Sequence, residues 1–143
     1  MKYLLATDGS DSSLQAARFL LRQSRPNPAD EFFVIYVFPL PPDPECYEGI
    51  LSLPVYANDE RVEAVAQPIL QRTLDVLGDV PGRVNEVTLV GNPGREIVEF
   101  AMNLGVDLIV AGTRGRSPEQ EAYLGSVSST LTHRARCSVL IVK

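Results

Sequence analysis

The sequence predicts an α/β domain built on an open, doubly wound, five-stranded parallel sheet with helices on both faces. Three observations point there. Four apolar runs, Tyr3–Thr7 (YLLAT), Phe32–Phe38 (FFVIYVF), Asp107–Ala111 (DLIVA) and Ser138–Val142 (SVLIV), are continuous rather than alternating. Continuous runs of that length suit strands buried on both faces, as in a parallel sheet covered by helices. Amphipathic helical stripes fill the gaps between them and give the order β-α-β-α-β-α-β-α-β. The length, 143 residues, matches one domain spanning 1–143, which buries roughly two-thirds of its unfolded surface without staples.

Each element has its own signal. Behind the first strand, Leu14, Ala17 and Leu21 fall at i, i+3 and i+7, with Ser10 or Asp11 available as N-cap. After the second strand, Phe38 to Tyr56 carries Pro39, Pro41, Pro42, Pro44 and Pro54 without periodicity, which suits either a binding lid or a surface excursion. A long stripe follows: Val62, Val65, Ala66, Ile69, Leu70, Leu74 and Leu77, closed by Gly78. Pro68 lies inside it and is expected to kink or restart the helix, since an interior proline costs about 3 kcal/mol. Val84–Val90 (VNEVTLV) mixes polar residues among its apolar ones and reads as a strand near an edge. Ile97, Ala101 and Leu104 mark a third helix, entered through Gly91-Asn92-Pro93-Gly94 and left at Gly105. The last runs from Gly125 to Arg136, with Val127, Leu131 and Ala135 inward and His133, Arg134 and Arg136 in its final turn.

Composition removes several functions. A hydrophobic fraction of 45% and a charged fraction of 22% describe a soluble globular chain. No apolar run approaches the ~20 residues of a membrane span, and no signal-peptide core opens the chain, so neither membrane nor secretion is expected. The net charge of −5 disfavours nucleic acid as a partner. Only Lys2 and Lys143 are lysines, so no GxxxxGK[ST] loop exists, and no GxGxxG follows the first strand. Cys46 and Cys137 lack CxxC spacing and read as free thiols of a cytoplasmic protein. With a single His they do not easily assemble a structural zinc site.

In doubly wound sheets ligands bind beyond the carboxyl ends of the strands, where strand order reverses. Two such ends carry chemistry. The first strand runs through Ala6 into Thr7-Asp8-Gly9-Ser10, an acid and a glycine at a helix mouth. The fourth runs into Ala111-Gly112-Thr113-Arg114-Gly115-Arg116-Ser117, and Gly125-Ser126-Val127-Ser128-Ser129 opens the last helix. Small residues let main-chain N–H groups approach an anion, the helix start adds free N–H groups, and Ser126, Ser128, Arg114 and Arg116 add donors and charge. Taken singly, these glycines turn the chain and these serines cap a helix. Their joint spacing favours a phosphate.

With Gly112-x2-Gly115-x9-Gly125-Ser126, the opening ATDGSDSS, the segment DLIVAGTRG and the closing LGSVSSTLTHRARCSVLIVK, the chain resembles the universal stress protein family over its whole length. The resemblance implies a Rossmann-like fold of the adenine nucleotide alpha hydrolase kind, with strand order 3-2-1-4-5. It implies an ATP-binding member, with ADP or AMP as the alternative resting ligand, that uses Mg²⁺ and acts as a sensor or switch under stress. By the same resemblance Asp8 contacts ribose or Mg²⁺, and Val37 main chain reads adenine. Ala6, Thr7 and Ala111 are cofactor-binding positions as well, Ala111 near the adenine, while Gly112, Arg114, Gly115, Gly125, Ser126, Val127 and Ser128 hold ribose and phosphates. A homodimer through the last strand, Val139–Val142, is implied as well; its apolar edge calls for cover. The chain departs from family habit at Ala111, where Met is usual, at Ser138, where proline is usual, and in the acidic insert Arg116–Leu124.

Two other classes remain open. A dimeric scaffold that does not retain nucleotide is compatible with the acidic insert. An adenylating enzyme of the ATP pyrophosphatase kind is suggested by Asp8–Ser12 (DGSDS), but Thr7-Asp8 would set a carboxylate against the pyrophosphate. His133, the sole imidazole, is expected at the far end of the last helix, so any hydrolysis is expected to be slow.

Overall fold

The apolar runs and stripes form nine elements in a computed structural model that describes residues 1–40, 58–113 and 124–143. They are β1 (Lys2–Ala6), α1 (Asp11–Ser24), β2 (Glu31–Pro39), α2 (Glu60–Leu77), β3 (Arg83–Gly91), α3 (Pro93–Leu104), β4 (Leu108–Gly112), α4 (Ser126–Arg134) and β5 (Ser138–Val142). The sheet is wholly parallel in the order β3-β2-β1-β4-β5, so the fold class and strand order are those expected. Most of the Phe38–Tyr56 connection, with Cys46, lies outside the described residues, as do Arg114, Gly115, Arg116 and the acids of the insert.

Alternate strand residues feed two cores. Leu5, Phe32 and Val34 pack with Leu20 of α1 and Leu70 of α2 on one face. Leu4, Ile35 and Ile109 pack with Ile97 of α3 and Leu131 of α4 on the other. Burying each such side chain stabilises by about 1.5–3 kcal/mol, which is why unbroken apolar strands belong here. β3, the strand with polar residues, lies at an edge as its sequence indicates. Among the described residues no helix is long and apolar enough to cross a membrane.

Helix ends follow local chemistry. Ser10 caps α1 by accepting from the Ser13 N–H, and Asn92 caps α3 by accepting from the Arg95 N–H, with Pro93 at the first position. α3 ends at Gly105, whose φ of 63° is the left-handed region that favours glycine.

Several readings of the helix faces require correction. Leu20, not Leu21, is the fully buried leucine near the end of α1. In α2, Val65 is exposed while Thr73 is completely buried; in α3, Leu104 is exposed and Val98 takes its place in the core. α2 runs unbroken through Pro68, so there is no restart. Ala64 and Pro68 both lie on the solvent side, so the carbonyl that loses its i+4 donor faces solvent rather than the core. α4 ends at Arg134, which leaves Arg136 in the turn before β5.

The amino-terminal end of the sheet is tied shut. Buried Asp30 accepts from the terminal ammonium at 2.8 Å and from the Asn27 N–H at 2.9 Å, while Asp107 accepts from the Lys2 N–H at 2.7 Å. The carboxyl ends of the strands have a different character.

The cap of α2 yields a pH prediction. Asp59 accepts from the Arg61 side chain at 2.6 and 2.9 Å and from its N–H at 2.9 Å, which holds its pKa down to about 2. A carboxyl lowered on folding contributes stability above its unfolded pKa and loses it as pH falls through the folded value. Asp59→Asn keeps a cap but removes the titration. Urea denaturation should therefore show the variant less stable than the parent at pH 5, with the gap closing as pH falls toward 2.

Candidate functional site

β1 is shorter than its neighbours at the carboxyl end. Its pairing with β2 ends at Ala6 opposite Ile35, closed by the Thr7 N–H donating to the Ile35 carbonyl at 2.9 Å. β2 continues to Pro39. Peptide groups along a strand alternate sides, so Val37 presents its main chain on the same side as Ile35, past the end of β1. On the other flank the β1–β4 register ends at Leu5 opposite Val110, while Ala111 and Gly112 continue beside Ile141 and Val142 of β5. The result is a crevice floored by Thr7, Asp8 and Gly9 and walled by main chain of β2 and β4.

The floor is held by a chain of hydroxyls. Thr7 Oγ1 lies 2.8 Å from Thr73 Oγ1 and 3.2 Å from Ser13 Oγ, and accepts the Gly9 N–H at 3.1 Å. Thr73 donates to the Ile69 carbonyl at 3.0 Å, and Ser13 to the Ser10 carbonyl at 2.8 Å. Gly9 takes φ 74°, a conformation for which glycine is needed. Asp8, half-buried at the mouth, accepts the Ser10 N–H at 2.9 Å through Oδ1.

The β4–α4 connection closes on itself. Thr113 donates its N–H to the Val142 carbonyl at 3.0 Å, and its own carbonyl accepts the Gly125 N–H at 2.8 Å. These bonds place the start of α4 directly over the end of β4. Gly125 is the N-cap, with no side-chain cap bond, whereas side chains of Ser10, Asp59 and Asn92 cap the other three described helices. The first N–H groups of α4 have no partner within the helix, and its dipole adds partial positive charge there.

Individual residues differ from their sequence-based roles. The Ser128 hydroxyl, expected to face an anion, is buried and donates to the Gly112 carbonyl at 2.7 Å. With its only proton used there, it acts as a link between α4 and β4. Gly112 is required by packing: a Cβ at that position would stand 2.7 Å from the backbone C and O of Ser12 and would also meet its Oγ. The side chains of Ala6, Val37 and Ala111 lie in the core, which leaves these residues their main chain to offer a ligand. Val127 is half-buried against the same core, and Ser126 is exposed at the first position of α4. Arg114 and Gly115 lie outside the described residues. His133 is exposed in the last turn of α4, Nδ1 donating to the Ser129 carbonyl at 2.8 Å, remote from Gly125.

Two residues at the site escaped sequence reading. Thr73 was hidden because it occupies an apolar stripe position between Ile69 and Leu77. Arg72, beside it, donates through Nη1 to the Gly9 carbonyl at 3.2 Å, and its Nη2 lies 3.5 Å from Asp11. No group of three His, Cys, Asp or Glu side chains suited to a metal occurs among the described residues.

Residues 1–143 match the Universal stress protein family. The chain belongs to that family. Universal stress protein MJ0531 of Methanocaldococcus jannaschii is 32% identical over 146 residues, which cover 99% of this chain and 81% of that protein. The solved structure of MJ0577, from the same organism, superposes with a TM-score of 0.80 at 27% identity, covering 99% of this chain and 94% of that one. A universal stress protein from Archaeoglobus fulgidus, solved in complex with dAMP, shares the fold with a TM-score of 0.68 at 21% identity, covering 100% of this chain and 98% of the other.

The packing at Gly112 and Ser128 is testable without a ligand. Gly112→Ala should destabilise by about 1–3 kcal/mol, because the Ser12 backbone it would strike cannot move aside freely. Ser128→Ala leaves the Gly112 carbonyl without its donor and should cost about 1–2 kcal/mol. Urea denaturation of both variants checks these values.

Proposed function

We propose that this protein binds an adenine nucleotide, ATP or its ADP or AMP relatives, with Mg²⁺ in the β1–β4 crevice, and serves as a nucleotide-dependent sensor or switch in the stress response. The observation that carries this reading is the amino end of α4, uncapped by any side chain among the described residues and fastened over the end of β4 by the Thr113–Gly125 bond. The N–H groups of Ser126, Val127 and Ser128, which have no partner within the helix, together with the helix dipole, suit a phosphate. In the sequence, Arg114 and Gly115 complete the motif around Gly112, Gly125 and Ser126. Val37 main chain stands where an adenine edge would meet β2, between the Ala6-Thr7 and Ala111 walls. Asp8 is placed for ribose hydroxyls or Mg²⁺. That ion commonly takes one or two carboxylates plus phosphate oxygens, so a lone Asp8 fits it without a dedicated cage. The complex of the Archaeoglobus protein with dAMP supports the reading, since the same fold there carries an adenylate.

The reading is of a single-domain binding switch rather than an enzyme, acting in the cytoplasm. His133, the one imidazole of the chain, is held in the last turn of α4, at the end away from the crevice. A second copy is the proposed partner of β5. That strand is a sheet edge, and Val139, Leu140 and Ile141 remain half-buried on it, an apolar edge that pairing across a two-fold axis would cover. Neither a membrane nor a nucleic acid is a proposed partner.

A carboxylate at the first position of α4 separates the fold from the function. Ser126→Asp should leave the fold intact or stabilise it by about 0.3–1 kcal/mol, since acids favour helix starts. It should also weaken ATP roughly tenfold or more, the effect of about 1.4 kcal/mol of charge repulsion. Calorimetric titration decides: an unmodified protein that fails to bind ATP, or a Ser126→Asp variant that binds equally well, defeats the proposal. For the dimer, Ile141→Lys should shift the native mass to a monomer or render the protein insoluble, and an unchanged dimer would remove β5 from the interface.

A further inference from the structure

Two consecutive residues of α2 hold both main-chain polar groups of Gly9. Arg72 Nη1 donates to the Gly9 carbonyl at 3.2 Å. The Gly9 N–H donates to Thr7 Oγ1 at 3.1 Å, and that oxygen is itself held 2.8 Å from Thr73 Oγ1. The Gly9 carbonyl shares a planar peptide with the Ser10 N–H, which points the opposite way and donates to Asp8 Oδ1 at 2.9 Å. A donor that captures the carbonyl therefore fixes the direction of the N–H. It also polarises the peptide, strengthening the bond the N–H makes. The other contact of Arg72, to the Asp11 carboxylate at 3.5 Å, is between two exposed groups and is screened by water.

We infer that Arg72 and Thr73 are positioning residues: Arg72 acting through the Gly9–Ser10 peptide, and Thr73 through Thr7 Oγ1 and the Asp8–Gly9 peptide, set the orientation in which the Asp8 carboxylate meets an adenine nucleotide. This rests on the reading of Asp8 as a nucleotide contact. The geometry links α2 to occupancy of the crevice, because whatever moves α2 moves the peptide that holds Asp8. By reciprocity, a nucleotide gripped by Asp8 tightens α2 against the sheet.

Calorimetric titration with ATP tests this on the whole protein. Arg72→Met keeps the apolar stem and removes the donors; Thr73→Val keeps the shape and removes the hydroxyl. Each should weaken ATP roughly three- to tenfold, and Thr73→Ser should restore binding. In an Asp8→Ala background Arg72→Met should add less than about twofold, because the group it positions is gone. Full loss in that background too, or no loss from Arg72→Met and Thr73→Val alone, overturns the inference. A second readout needs no nucleotide: in the free protein Arg72→Met should shift the Ser10 amide resonance and speed its hydrogen exchange. An unmoved Ser10 amide overturns the relay even where ATP binds. Failure of the unmodified protein to bind ATP defeats the nucleotide reading instead, and Ser10 then decides the relay by itself.

Discussion

β1 lies between β2 and β4, and the helices leaving β1 and β4 depart toward opposite faces of the sheet. Right-handed crossovers in a doubly wound sheet enforce that divergence, because the chain must turn one way to reach β2 and the other to reach β5. The two neighbours of β1 then run past its last paired residue with main chain facing a gap. The candidate ligand groups among the described residues, from Asp8 to Ser126, owe their positions to that reversal.

The two helix starts beside the gap are treated differently. α1 is closed by Ser10, and its first turn lies so near Gly112 that no Cβ fits between them. α4 is brought to the same place by main-chain bonds through Thr113 and by the buried Ser128 hydroxyl, yet among the described residues no side chain caps its first N–H groups. Capping residues are common and cheap in sequence terms, so their absence at one helix of four directs attention to that end.

Beneath the crevice the structure uses hydroxyls where hydrocarbon would have filled the space. Among the described residues every buried side-chain nitrogen or oxygen has a partner. The Thr7, Ser13 and Thr73 hydroxyls therefore do not weaken the core. Directional bonds specify the Thr7–Gly9 turn in a way apolar contact would not. The turn in turn carries Asp8, so a helix on one face of the sheet is joined to a carboxylate at the mouth.

Strand identities, helix order, the Ser10 cap and the Asn92-Pro93 entry were legible in the chain because they depend on residues within a few positions of one another. The sequence also placed Gly112 and Gly125 at the two ends of the β4–α4 connection and Asp8 after the first strand. Leu20 over Leu21 and Thr73 over Val65 were not, since a helical stripe gives a face only to within a residue, and a buried hydroxyl shows no apolar signal. Gly112 looked like a place for an anion, and Ser128 like a phosphate donor. Tertiary packing assigned the space beside one to Ser12 and the proton of the other to Gly112. Local sequence determined which elements form and what chemistry their ends carry. Which of those groups are consumed within the protein and which face the crevice was decided only when distant segments met, because hydrogen-bond partners 15 to 66 residues apart leave no periodic trace along the chain.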